Sequence, residues 1–258
     1  MPALPLELDC RSAFVAGAYG ALGAAIAHAL ARAGVRVALG GRDPAKLAVV
    51  AAAIAEAGGD AVCAPFDAND VASIRRAVED AAATTGSIDA LVNAVGIFEE
   101  QRLLEAEPAS FDRVTATNYR AAMFIAQAVA RVQVQGARGG RQVHLLSVRS
   151  QLAMRDRGYS SYAGSKGALV MLVRQHAAEL APHGITVNGV APTVVRTPIA
   201  EAWFSDPERH RRLVERIPLG RVGLPEDVVA PTLFFLSRTA GFVTGQVLYV
   251  DGGITATQ

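Results

Sequence analysis

The chain has 258 residues, 51% of them hydrophobic, and a formal net charge of +1. That length buries the core of one large domain, and the near-neutral balance excludes a field that would recruit nucleic acid or an anionic membrane. Cys10 and Cys63 have no metal or redox spacing, the N-terminal stretch lacks a signal-peptide pattern, and no apolar run reaches the roughly 18 residues of a membrane span, so a cytoplasmic protein without a metal is expected.

Short β-rich runs fall at 12–17, 35–40, 60–65, 89–93, 142–147, 185–191 and 246–250. Between them lie segments with helical spacing, such as Leu22, Ile26 and Leu30, then Leu47, Val50 and Ile54, then Leu169, Leu172, His176 and Leu180. Gly34, Gly58 and Gly184 stand where a helix can end in a left-handed cap. This alternation predicts an α/β fold, a parallel sheet with helices on both faces. Such sheets bind ligands beyond the carboxyl ends of their strands.

The first run leads into Gly17-Ala18-Tyr19-Gly20-Ala21-Leu22-Gly23. Glycine allows close backbone approach, and a helix N-terminus offers free N–H groups to a pyrophosphate. Gly17, Tyr19, Gly20, Leu22 and Gly23 are therefore candidate cofactor contacts, and a tightly packed corner is the alternative. The second run ends at Gly40-Gly41-Arg42, with no acid to bind a ribose 2′-hydroxyl. Arg42 can pair with a 2′-phosphate, which favours NADP(H) and leaves NAD(H) possible; the bland reading is a solvated arginine. Asp67, after the third run, either accepts from an adenine amine or caps the helix starting near Val71.

The stretch YSSYAGSKGAL, 159 to 169, holds Tyr162 and Lys166, four apart and so on one helix face. An ammonium beside a phenol lowers its pKa, and such a pair next to a nicotinamide can move the proton that accompanies hydride transfer. Lys46 and Lys166 are the only lysines among 25 basic residues, so a lysine here is a specific choice.

The chain resembles a short-chain dehydrogenase/reductase of the compact type, in particular the 3-oxoacyl carrier-protein reductases. Tyr162-x-x-x-Lys166, the turn Gly17 to Gly23, LVNAVGI at 91–97, VNGVAPTVVRTP at 187–198, IPLGRVGLPEDVVAPTLFFLS at 217–237 and VTGQVLYVDGG at 243–253 match that family's motifs in order. The resemblance implies a single Rossmann-like NAD(P)-binding domain over 1–258, with about seven strands in a doubly wound sheet. It implies Tyr162, Lys166, Ser147 and Asn118 as catalytic residues, Ser150 being the alternative serine. It gives Val195 and Thr197 the nicotinamide carboxamide, and Asn93 the adenosine side and a brace across the sheet. It also implies a mobile lid at about 198–217, carrying Trp203 and Phe204, and a homo-oligomer, usually a tetramer.

Ala16, Ala21, Ala94, Val95 and Thr193 depart from the family pattern. Ala21 is tolerable if its φ is negative. Arg149, Arg155 and Arg157 follow Ser147 and suggest an anionic or thioester-linked substrate, or else a solvated loop. Three activities remain open: an NADP(H)-dependent reductase of a ketone or 3-oxoacyl thioester, a catabolic dehydrogenase of a sugar, polyol or cyclic alcohol, and a non-catalytic cofactor-binding regulator.

Overall fold

The structure, a computed structural model, describes residues 7–197 and 206–258. In chain order its elements are β1 (Ser12–Ala16), α1 (Ala21–Arg32), β2 (Arg36–Gly41), α2 (Pro44–Glu56), β3 (Ala61–Pro65), α3 (Val71–Thr85), β4 (Ala90–Asn93), α4 (Pro108–Thr115), α5 (Ala121–Gly136), β5 (Gly140–Leu145), α6 (Ser160–Leu180), β6 (Ile185–Pro192), α7 (Pro207–Glu215), α8 (Pro225–Leu236), β7 (Val247–Val250) and α9 (Ile254–Thr257). The strands are the apolar runs of the sequence. They form one parallel sheet in the order β3-β2-β1-β4-β5-β6-β7.

The strands are apolar on both faces because both faces are covered. In β1, Ala13 and Val15 join a core with Ile26 and Leu30 of α1, Leu47 of α2 and Val228 of α8. Phe14 and Ala16 join the opposite core with Ile74 of α3 and Ile125 of α5. Leu169, Leu172 and Val173 of α6 extend that second layer over Leu146 and Ala191. Gly34, Gly58 and Gly184 take the positive φ expected of them.

The structure removes one of the two alternatives for Asp67. Asp70, not Asp67, caps α3, its side chain accepting from the Ala72 N–H at 2.8 Å. Asp67 lies too early to reach that turn; its Oδ1 accepts from the Asn69 N–H at 2.9 Å instead.

Three features position the site. β1 pairs with β2 on one side and β4 on the other, so the strand order reverses there and Ala16 stands level with both Gly40 and Asn93. Between α4 and α5 the backbone makes a π-turn over Ala116–Arg120, with the Ala121 N–H bonded to the Ala116 carbonyl. After β6 the chain makes an isolated parallel bridge, Val195 to Gly223. Of the expected lid, residues 198–205, Trp203 and Phe204 among them, lie outside the described residues; α7 follows and packs Leu213 and Val214 against the buried cluster of Val148, Ile217, Val222 and Ile254. No described helix is long and apolar enough to cross a membrane.

Candidate active site

The glycine turn sits at the crevice where the strand order reverses. Gly17 has φ +81°, and a Cβ on it would lie 2.8 Å from the Ala94 carbonyl oxygen. A Cβ on Gly23 would fall far inside contact distance of the Gly17 carbonyl. Gly20 is the N-cap of α1 and makes no side-chain cap bond, so no cap side chain occupies the first-turn N–H groups. Ala21 opens α1 and is absent from the non-glycine residues with positive φ, which are Ala137 and Asp156 among the described residues. Its methyl is therefore unstrained. The cradle fits a dinucleotide pyrophosphate at the point where doubly wound sheets bind one.

Along the same edge, the Tyr19 ring covers Gly41, whose Cβ would come within 2.7 Å of it, and the Lys46 Nζ stands 5.6 Å from the ring centroid. Leu22 packs its side chain against the core, leaving its backbone to the crevice. Arg42 follows β2, exposed and with no hydrogen bond or ion pair among the described residues. Asp67 is exposed at the end of β3. Asn93 is buried; its Nδ2 lies 3.2 Å from His144 Nδ1 on the neighbouring strand and its Oδ1 accepts from the Val95 N–H. The contact joins β4 to β5. Burial, with the charges of His176 and Lys166, pulls the His144 pKa down to about 3, so its ring is neutral.

The second group gathers at the carboxyl ends of β4, β5 and β6. Tyr162 and Lys166 share a face of α6, with the Lys166 Nζ 5.8 Å from the Tyr162 ring centroid. That Nζ donates to the Leu145 carbonyl at 2.9 Å. Lys166 is 5% exposed, and burial lowers its pKa to about 8. Ser147 follows β5, its hydroxyl accepts from the Arg149 N–H at 3.2 Å, and it lines the same cavity as Tyr162, whose phenolate it favours. Ser150 points elsewhere, donating to the Ser147 carbonyl and lying 3.2 Å from the Tyr249 hydroxyl.

The Tyr162 pKa departs from expectation. It is raised, because burial outweighs the Ser147 hydrogen bond and the Arg149 charge that favour the phenolate. In the protein without cofactor the side chain is a neutral phenol, ready to donate a proton.

Asn118 lies in the π-turn, fully buried. Its amide donates to the Ile97 carbonyl and to Ser165 Oγ, both at 3.0 Å, and its Oδ1 accepts from the Ile97 N–H at 2.7 Å. Ser165 in turn donates to the Tyr162 carbonyl, so Asn118 fixes the start of α6 against the loop after β4. Gly96 separates Asn118 from Lys166: a Cβ there would stand 3.5 Å from both Asn118 Oδ1 and Lys166 Nζ. Across the cavity, the bridge to Gly223 is made by the Arg196 N–H and the Val194 carbonyl rather than by the peptide groups of Val195. Thr197 is half-buried just beyond.

A cavity of about 650 Å³ opens between these elements, lined by Tyr162, Ser147, Val195 and Thr193. Thr193, which stands where the family has glycine, lines the cavity, and its Oγ1 is buried with no hydrogen-bond partner among the described residues. Arg149, Arg155 and Arg157 line the same cavity, Arg149 buried and Arg155 exposed, and Arg212 and Arg216 join them from α7 and its end. Phe98, which sequence reasoning missed, lines it too and meets Tyr162 edge-on at 5.2 Å between centroids. Its one sequence signal is its place directly after a strand-end motif.

A family model described as Enoyl-(Acyl carrier protein) reductase matches residues 17–255. The gluconate 5-dehydrogenase of Gluconobacter oxydans is 36% identical over 251 residues, which cover 97% of this chain and 97% of that one. The L-xylulose reductase of Bos taurus is 38% identical over 256 residues, which cover 98% of this chain and 100% of that one. Among solved structures, a gluconate 5-dehydrogenase from Burkholderia cenocepacia J2315 in complex with NADP and tartrate matches with a TM-score of 0.93 at 33% identity, covering 98% of each chain.

Proposed function

Because the chain belongs to the short-chain dehydrogenase/reductase family and is an NAD(P)-dependent oxidoreductase interconverting a carbonyl and an alcohol, we propose that Tyr162, Lys166, Ser147 and Asn118 carry that reaction with NADP(H) preferred. The observation that carries this reading is that Tyr162 and Ser147 line one cavity while Lys166 stands behind Tyr162, its Nζ 5.8 Å from the ring centroid.

When bound, the nicotinamide supplies or accepts the hydride at the substrate carbon. In reduction, Tyr162 Oη donates its proton to the substrate oxygen as negative charge develops there, and the Ser147 hydroxyl donates a second hydrogen bond to that oxygen. In oxidation, Tyr162 must receive the proton as phenolate. Lys166, on the same helix face, supplies the positive charge that stabilises it. Asn118 positions Ile97 and the first turn of α6, and shares with Lys166 the space beside Gly96 through which a proton relay would run. Gly17, Gly20, Gly23 and the backbone of Leu22 would hold the pyrophosphate, and Arg42, with Tyr19 beside it, the 2′-phosphate. Asp67 and Asn93 would flank the adenosine, and the free peptide groups of Val195 with Thr197 the carboxamide.

The relatives named for gluconate and L-xylulose favour a polyhydroxylated ketone or alcohol over a carrier-bound acyl thioester. By family likeness alone, the enzyme is read as a cytoplasmic homotetramer.

A screen of ketones and alcohols with NADPH, NADH and their oxidised forms tests the reading. Tyr162→Phe is expected to lower kcat at least about 10²-fold while leaving cofactor binding, followed by nicotinamide fluorescence, unchanged. Turnover retained by Tyr162→Phe would overturn the assignment.

A further inference from the structure

We infer that the substrate carries a carboxylate, held in the cavity by Arg149 and Arg216 with Arg155 at its mouth. The inference rests on the oxidoreductase reading and deepens it by naming the substrate's charge.

The arginines lining the cavity are not equivalent. Arg157 is paired with Glu100, and Arg212 with Glu208 at 2.8 Å, so each of these charges is met by a carboxylate. Arg149, Arg155 and Arg216 have no carboxylate partner among the described residues. Arg216 donates to a neutral oxygen, Gln258 Oε1, at 2.8 Å. Arg149 donates through Nη1 to the Leu152 and Ala153 carbonyls at 3.2 and 3.0 Å. These bonds fix the guanidinium and leave Nε and Nη2 unused.

A solvated surface residue does not fit Arg149, which is 8% exposed. Its pKa is lowered, first by burial and second by the charge of Arg216. Both guanidinium groups thus belong to one cavity lining, each without a carboxylate partner among the described residues. A buried cation is normally paired, and the one ligand that relieves both costs is an anion lodged between them. A guanidinium fork binds a carboxylate through parallel hydrogen bonds, where an ammonium gives a point charge.

The placement suits the reaction. Ser147, which lines the cavity with Tyr162, accepts from the backbone N–H of Arg149. The residue that would hold the carboxylate is therefore tied to the residue that would hold the reacting oxygen. Phe98, Val148, Met154, Leu213 and Ile254 supply apolar walls for the carbon skeleton between the two ends.

The test uses matched pairs with NADP(H) present: gluconate against sorbitol, xylonate against xylitol, and 5-oxohexanoate against its methyl ester. Steady-state kinetics are run on wild type, Arg216→Gln and Arg149→Gln, with calorimetric binding in parallel. At least one acid is expected to exceed its neutral partner 10-fold or more in kcat/KM. Arg216→Gln is expected to erase most of that margin through KM, with kcat within about threefold. Arg149 is buried, so Arg216→Gln keeps the test valid if Arg149→Gln fails to fold. Neutral partners turned over as well as the acids, or a margin unmoved by Arg216→Gln, would overturn the inference and leave the oxidoreductase reading intact. If no compound is turned over, the proposed function fails; Arg216-dependent binding of an acid by calorimetry then upholds this inference, and binding of no acid overturns it.

Discussion

Replacing Lys166 by methionine should make the protein more stable while removing its activity. The ammonium is 5% exposed, and burial moves its pKa from 10.5 to about 8. At 1.36 kcal/mol per tenfold change in proton affinity, holding that charge inside the fold costs about 3 kcal/mol at pH 7. Below about 8 both the folded and unfolded chains are protonated and the cost is present in full. Between about 8 and 10.5 the unfolded chain binds more protons, so wild-type stability climbs with pH through that window. Methionine fills the same space without charge, but the Leu145 carbonyl loses its donor, a loss of about 1–3 kcal/mol. The balance at pH 7 is a gain of about 1 kcal/mol, or roughly 2–4 °C in Tm for a chain near this size. Thermal unfolding of wild type and Lys166→Met without cofactor, at pH 7 and pH 10, measures it. The variant should lead at pH 7 and lose that lead at pH 10. A variant less stable than wild type by the same amount at both pH values would refute the argument, since the lysine would then carry no burial cost.

Two further substitutions test the cofactor cradle. Gly23→Ala drives a methyl into the Gly17 carbonyl and the Ala18 backbone, neither of which can yield cheaply, and should cost about 1–3 kcal/mol and weaken NADP(H) binding; Gly20→Ala meets only the Gly17 oxygen, at 3.3 Å, and should cost less than about 1 kcal/mol. Calorimetric Tm values that fall equally would overturn that contrast. Arg42→Ala should cut the NADPH-over-NADH preference about 10-fold or more, the worth of a charge-assisted hydrogen bond, in a fluorescence titration. An unchanged ratio of dissociation constants would remove Arg42 from the 2′-phosphate.

What the sequence disclosed follows from what each feature needs. The strands were legible because both faces of a parallel sheet are buried, which writes an apolar run into the chain. The Tyr162–Lys166 pair was legible because helical spacing is local. The π-turn around Asn118 was not, since an extra residue in a helix needs no particular side chain and Ala116, Thr117 and Asn118 look helical. Of the two readings open for Asp67, the cap falls away only in the folded chain, because two carboxylates precede α3 and the backbone decides that Asp70 reaches its first turn. The gathering of arginines was half-visible. Arg149, Arg155 and Arg157 lie on one loop, whereas Arg212 and Arg216 reach the cavity only through the packing of α7. The direction of the Tyr162 pKa was misjudged because burial is a property of the folded chain.

The bridge from Val195 to Gly223 separates two inheritances. The bridge brings Val195 and Gly223 side by side, and of the chain between them the described residues 206–222 include α7 and the buried Ile217 and Val222. Closing a loop costs only about 0.6 kcal/mol more for each doubling of its length. Loop-closure entropy therefore tolerates a change of length here, while the buried Ile217 and Val222, packed with Val148 and Ile254, must be kept. Arg212 and Arg216 ride on this exchangeable part; Arg149, Ser147 and Tyr162 belong to the fixed part. A new substrate preference can thus be acquired by rewriting one segment, with the proton-transfer machinery and the dinucleotide cradle passed on unaltered.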